Sequence, residues 1–244
     1  MRYAIFADIH ANLAAFKAVL DDLEAKGGFD EIWSLGDMVG YGPEPHACLE
    51  LLLSHDHICV AGNHDWAAIG KIDTLDFNPD AARACQWTAQ QLTVGDIDYL
   101  LGLPLRLERG DFTLVHGSPR DPIWEYLLST VDACDSFAFF DTKFCLVGHS
   151  HVPLIFRRDE AGHCSLERLC DEVNVATGRD RLIVNPGGVG QPRDGDPRAS
   201  YALYDSNAQT IYHYRVDYDI ALTQSKMMEC QLPLSLILRL SHGY

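Results

Sequence analysis

The chain has 244 residues, 47% of them hydrophobic, enough for one large α/β core or at most two small ones. A net charge of −16 argues against a nucleic-acid backbone or an anionic membrane as the main partner. No apolar run reaches membrane-span length, and the apolar start meets a carboxylate at Asp8 too soon for a signal peptide, so a cytoplasmic protein is expected.

In chain order, Arg2 to Ala7 reads as a first strand, ending at Asp8-Ile9-His10. Asn12 then caps a helix to about Lys26, with Leu13, Phe16, Val19, Leu20 and Leu23 on one face and Gly27-Gly28 as its stop. A second strand, Glu31 to Leu35, ends at Gly36-Asp37, and Pro43 is expected to open the next helix. A third strand, His57 to Ala61, runs into Gly62-Asn63-His64-Asp65. Residues 66 to 110 read as mainly helical, with Asn78-Pro79 at one N-terminus. Phe112 to Val115 is a strand ending at His116-Gly117, followed by helical stretches on either side of Ser129. Phe144 to Val147 leads into Gly148-His149-Ser150-His151. Beyond it the pattern becomes β-rich, with strands expected at 154–158, 164–169, 182–184, 201–204 and 211–216. A helix to Glu229 and the apolar stretch 232–240 close the chain. No repeat or long linker separates the halves, so one domain over residues 1–244 is expected, with two sheets packed together and helices outside.

The eight cysteines are scattered without a Cys-x-x-Cys pair, and several sit in apolar runs, so buried free thiols are expected and a zinc ribbon is not.

Five apolar runs end in metal-capable residues: Asp8 with His10, Asp37, Asn63 with His64, His116, and His149 with His151. Each alone reads as a turn residue. Parallel strands, however, would bring all these ends to one edge, where α/β sheets bind ligands. A carboxylate can bridge two cations, and imidazoles favour first-row transition metals. Two cations about 3.5–4 Å apart can share a water and clamp an in-line displacement at phosphorus. They would also supply the positive charge that so acidic a protein lacks.

The segments Asp8-Ile9-His10, Gly36-Asp37, Gly62-Asn63-His64-Asp65, His116-Gly117 and Gly148-His149-Ser150-His151 resemble the calcineurin-like metallophosphoesterases in order and spacing. The tail, with Asn185-Pro186-Gly187 before the strand at 199–204, is similar to that of the compact bacterial members. The resemblance implies an α/β fold of two packed mixed sheets flanked by helices, a four-layer α-β-β-α sandwich. It implies that Asp8, His10 and His151 hold one metal, that Asn63, His116 and His149 hold a second, and that Asp37 bridges them. The ions would be Mn, Fe, Zn, Ni or Co. His64 would be a non-ligand that acts as general acid or charge stabiliser, with Asp65 as its orienting partner. The implied activity is hydrolysis of a small organic or nucleotide phosphoester, as a phosphodiesterase, by a metal-bound hydroxide. Phosphoprotein phosphatase and dinucleoside polyphosphate hydrolase activities are the alternatives. A non-catalytic interaction scaffold on the same fold is the rival, and the presence of His64 argues against it.

Outside the motifs, Gly190-Gln191-Pro192-Arg193-Asp194 is a polar loop able to reach the site, and Arg193 is the candidate for a substrate phosphate. His46, His55, His57, His163, His213 and His242 read as surface or local packing residues.

Overall fold

The computed structural model describes residues 1–244. β1 (Arg2–Phe6) is apolar on both faces, as expected of a strand covered on each side. α1 (Leu13–Ala25) begins where the Asn12 side chain accepts the Ala15 N–H, and it buries Ala15, Phe16, Val19, Leu20 and Leu23. Then follow β2 (Glu31–Ser34), α2 (Pro45–Leu53), β3 (His57–Cys59), α3 (Asn63–Ala68), α4 (Pro79–Gln91) and α5 (Val94–Gly102). The middle of the chain holds β4 (Arg106–Arg109), β5 (Phe112–Val115), α6 (Thr130–Ser136), β6 (Phe144–Leu146), β7 (Leu154–Arg158) and β8 (Cys164–Arg168). The rest is β9 (Val173–Ala176), β10 (Arg181–Asn185), β11 (Ala199–Asp205), β12 (Thr210–Val216), α7 (Ile220–Glu229) and α8 (Leu234–Arg239).

The strands form two six-stranded sheets, in the orders β3-β2-β1-β11-β12-β9 and β4-β5-β6-β10-β7-β8. β1, β2 and β3 are parallel in the first sheet, and β5, β6 and β10 in the second; the other pairings are antiparallel. Both sheets are therefore mixed. Ile5 and Trp33 of the first sheet pack against Phe112, Phe144 and Leu182 of the second, forming the core between them. Ala4, Phe6 and Ile32 face the opposite way, onto α1 and α2. On the outer face of the second sheet, Cys145, Phe156 and Ile183 meet Ala133 and Phe137 of the α6 region. Helix, sheet, sheet and helix thus make the four expected layers.

Several expectations need correction. α2 opens at Pro45, not Pro43, since the 40–43 segment is a turn held to the turn after β1 by Gly42 N–H donating to His10 O. Only one helix flanks Ser129, and it follows that residue; Ser129 caps it by accepting the Asp132 N–H. β4 lies where helix was expected, and β9 was not anticipated; both are short strands at the edges of their sheets. The cysteines are not all free. Cys134 of α6 and Cys164 of β8 form a disulfide with Cα atoms 5.9 Å apart. Of the remaining six, Cys48, Cys59, Cys85 and Cys145 are buried, but Cys170 is exposed and Cys230 is half-buried. No helix is long and apolar enough to cross a membrane.

Candidate metal centre

The parallel strands of the two sheets end at the same side of the sandwich. Asp8 and His10 follow β1, Asp37 follows β2 and Asn63 follows β3, all from the first sheet. His116 follows β5, and His149 and His151 follow β6, from the second sheet. The site is thus built at the seam between two sheets, not along the edge of one. Asp8, His10, Asp37, His149 and His151 have φ between 48° and 63°, the left-handed region. Such a residue at a strand end breaks the pleat and swings its side chain toward the seam, at a conformational cost that Asp and His tolerate better than bulkier residues.

The side chains gather in two trios, Asp8, His10 and His151, and Asp37, His116 and His149, each with ligand atoms within 4.8 Å of one another. All six are buried. His10 Nε2 and His151 Nε2 lie 3.2 Å apart. His10 Nδ1 donates to Val39 O, and His151 Nδ1 donates to Gln191 O. With those tautomers assigned from the carbonyl partners, two lone pairs face one another. Asp8 Oδ1 lies 3.3 Å from His151 Nε2, and the other oxygen of this carboxylate, Oδ2, is buried without a hydrogen-bond partner. A shared cation relieves all three groups at once, so the residues present fit a metal ion.

The second trio follows the same plan. His116 Nδ1 donates to Leu35 O at 2.8 Å, and its Nε2 lies 3.0 Å from Asn63 Oδ1 and 3.1 Å from His149 Nδ1. His149 Nε2 donates to Trp124 O. Asp37 joins the trios: its Oδ2 is 3.6 Å from His10 Nε2 and 3.3 Å from His116 Nε2. Gly62 makes room for this carboxylate, since a Cβ there would lie 2.0 Å from Asp37 Oδ1.

Electrostatics agrees with this plan. Burial holds the imidazoles of His10 and His151 well below their usual range, and burial with the His116 charge brings His149 down to about 3. They are therefore neutral at pH 7, as ligands must be. Burial would lower His116 too, but the adjacent Asp37 carboxylate outweighs it and raises this imidazole to about 9. Burial raises Asp8 to about 7, against the pull of His116. Asp37 goes the other way: burial would raise it, but the surrounding imidazoles, His116 foremost, hold it far below the carboxylate range.

His64 stands over the trios without belonging to either. Its ring centroid is 4.9 Å from that of His10 and 4.3 Å from that of Tyr41, and its Nδ1 is buried without a partner. Burial lowers its imidazole to about 4, although Asp37 acts to raise it. Asp65 is not the orienting partner of His64. Its Oδ2 accepts the N–H groups of Asp37 and Gly62, and its Oδ1 accepts that of Val39. The geometry of α3 decides this: neighbouring residues on a helix point in different directions, and at the third helical position a carboxylate turns back to the unpaired amides. Arg193 is half-buried, with its guanidinium 3.4 Å from the Tyr41 hydroxyl and 3.1 Å from Gln191 Oε1. Its loop is pinned to the site by Gly190 N–H donating to Asp8 O. Asn12, besides capping α1, donates to Gly190 O and so holds that loop.

The sequence reading missed the backbone carbonyls of Leu35, Val39, Trp124 and Gln191 that orient the four histidines, for which no side-chain pattern exists. It also missed the role of Asn185, whose amide donates to Gly148 O and to the Ser150 hydroxyl, fixing the turn between His149 and His151. That one carries a signal: Leu182-Ile183-Val184-Asn185 is another apolar run ending in a polar group.

Residues 1–209 match the family model of the calcineurin-like phosphoesterase superfamily domain. The chain belongs to that family. It is a metallophosphoesterase, a hydrolase of a family that works with divalent metals, and its two carboxylate–histidine clusters suit that use. Among relatives, this phosphoesterase is similar to the metallophosphoesterase of Sphaerobacter thermophilus, whose crystal structure it matches with a TM-score of 0.91 at 50% identity, over 100% of this chain and 99% of the other. It is 39% identical over 238 residues to an uncharacterised protein of Methanocaldococcus jannaschii, covering 94% of this chain and 93% of that one. A symmetrical bis(5'-nucleosyl)-tetraphosphatase of Pseudomonas putida is 32% identical over 103 residues, which is 36% of this chain and 35% of that enzyme.

Proposed function

We propose that this phosphoesterase hydrolyses small phosphodiesters, nucleotide esters among them, at a pair of metal ions, within a single domain spanning residues 1–244. The observation that carries the reading is the position of Asp37 Oδ2, within 3.6 Å of a nitrogen in each trio. One carboxylate oxygen so placed suits a bridge. Asp8, His10 and His151 would hold one ion, and Asn63, His116 and His149 the other, with Mn, Fe, Zn, Ni or Co suited to so many imidazoles. The ions would supply Lewis acidity at the phosphoryl oxygens and an activated water.

The chain's own groups do the rest. The four backbone carbonyls that accept from His10, His116, His149 and His151 fix each imidazole with its free nitrogen inward. Arg193, at the Tyr41 side, adds a fixed positive charge for a phosphate oxygen. His64 has its Nδ1 buried, which leaves Nε2 to meet the leaving oxygen. Its lowered basicity keeps it neutral in the free protein, and the negative charge of a bound phosphoester would favour the protonated form that general-acid work requires. Retention of His64 beside both trios also disfavours a purely structural scaffold.

The test is turnover of bis(p-nitrophenyl) phosphate and of an alkyl phosphodiester with added Mn²⁺, by wild type and His64→Gln. The expected result is turnover by wild type, and a loss in the variant of about 10²–10⁴ on the alkyl ester but less on the aryl ester, whose leaving group needs little protonation. No turnover by metal-loaded wild type would refute the function. Equal losses on the two esters would refute the proton-donating role.

A further inference from the structure

Next to the second trio a cleft of about 300 Å³ is lined by Tyr41, Asn63, His64, Phe77, Trp124, Tyr126 and His149, with Asp76 and Asn78 at its lip. Four aromatic side chains meet there, brought from the 40–43 turn, the segment before α4 and the loop after β5. Tyr41 is buried in the core, whereas Phe77 and Trp124 are half-buried and Tyr126 is exposed. Phe77 and Trp124 meet edge to face at 5.7 Å and 82°, and Phe77 lies 4.6 Å from the His64 ring. Tyr126 stacks flat on His149 at 3.9 Å, yet remains 47% exposed. No Lys or Arg lines the cleft, whereas Asp76 does. Apart from the proposed metal ligands Asn63 and His149, the lining thus offers a second phosphate a carboxylate and no side-chain cation, which favours an uncharged group in the part walled by the aromatics.

We propose that this cleft binds a planar aromatic ring carried by the leaving group of the substrate, the alcohol side of the scissile ester. The proposal rests on the reading of His64 as the group facing the leaving oxygen. His64 lines the cleft, so whatever is attached to that oxygen extends past its ring toward Phe77 and Trp124. Arg193 is not part of the lining, but its guanidinium lies 3.4 Å from the hydroxyl of the lining Tyr41, at the border of the cleft, and there it serves the phosphoryl side. The volume is at the lower end of small-ligand pockets, about 300–1,000 Å³, which fits one ring system with its linker and not a polymer. Aromatic walls bind planar rings by stacking with little dependence on ring identity, so a nucleobase and a simple aryl group share the chemistry. The polar lip at Asp76 and Asn78 is where the edge of a base would find partners.

Equilibrium titration of the Mn²⁺-loaded full chain with the product alcohols tests the cleft without any turnover. Adenosine and 2-phenylethanol are the two ring probes, and ribose is the control that lacks a ring. Adenosine should bind at least about tenfold more tightly than ribose. Trp124→Leu and Tyr126→Leu should each weaken the ring probe by about 5- to 150-fold, the range that base stacking on an aromatic carries. Binding of adenosine but not of 2-phenylethanol assigns the ring as a nucleobase, and binding of both assigns a general aryl site; either result supports the proposal. Failure of both probes to exceed ribose, or ring binding unmoved in both variants with native melting temperature and metal content, overturns it. Turnover separates this from the proposed function. An active wild type with no ring preference loses only the cleft, and ring binding without hydrolysis of any phosphoester loses the function.

Discussion

Replacing Asp65 by Asn separates two roles that one carboxylate could have. In the structure its Oδ2 receives the N–H groups of Asp37 at 2.8 Å and Gly62 at 3.0 Å, and its Oδ1 receives that of Val39 at 3.1 Å. Burial and the Asp37 charge raise this carboxyl to about 7, against the pull of the Gly62 and Val39 amides. Three donors and no acceptor face it, so an ionised carboxylate suits the site. A carboxamide can keep its oxygen on the Asp37 and Gly62 side, but its NH₂ then meets the Val39 N–H. One hydrogen bond to a charged group is lost, about 1.5–3 kcal/mol, and a buried donor is left unpaired, about 1–3 kcal/mol. With partial relaxation the loss should be about 3 kcal/mol, or about 6–12 °C in melting temperature for a chain of this length. Calorimetry and elemental analysis of the purified variant are the assays. Because Asp37 shares this network, metal content should fall together with stability. A variant with native melting temperature, full metal and reduced kcat would refute the reasoning and return Asp65 to His64 as its partner.

Asp37→Ala should lose metal from both positions, whereas Asn63→Ala should mainly empty one; equal, full occupancy in Asp37→Ala by elemental analysis would exclude a bridge. Gly62→Ala should destabilise the site severely, because its Cβ would lie 2.0 Å from Asp37 Oδ1, and the drop in bound metal should exceed that in Gly102→Ala, where nothing lies within 4 Å. Metal affinity should fall as pH is lowered. His116 and Asp8, raised to about 9 and about 7, carry protons over much of the neutral range in the free protein, so metal uptake must displace them. Calorimetric titrations in buffers of different ionisation enthalpy should show proton release at pH 7, and affinity unchanged from about pH 8 to 5 would contradict histidine ligation.

The parts of the fold legible in the sequence are those where local pattern and tertiary role coincide. β5 and β7 have the expected bounds because apolar runs flanked by Gly, Asp or Pro admit little else. Asn12, with the spaced Phe16, Val19, Leu20 and Leu23, likewise announces α1. β4 escaped because Arg106-Leu107-Glu108-Arg109 is an edge strand, and polar edges lack the apolar signal. The Cys134–Cys164 pairing is set by α6 packing beside β8, which no spacing encodes. At the site, the residue types and their strand-end placement could be read in advance. Their division between two sheets and the left-handed turns that aim them could not. Neither could the aromatic cleft, whose walls come from positions 41, 77, 124 and 126 with no common motif.

The seam has a mechanical consequence. Each trio draws ligands from both sheets: Asp8 and His10 against His151, and Asp37 against His116 and His149. An ion held as proposed is therefore a reversible cross-link between the sheets, closing a loop from Asp8 to His151 that spans more than half the chain. Such a link narrows the unfolded ensemble as a disulfide does, and more for long loops. Chelation would undo it at one end only, since the apolar core between the sheets stays in place. Hydrogen exchange should then quicken at the ends of β1, β2 and β6 that face the site, while the opposite ends of the same strands keep their protection.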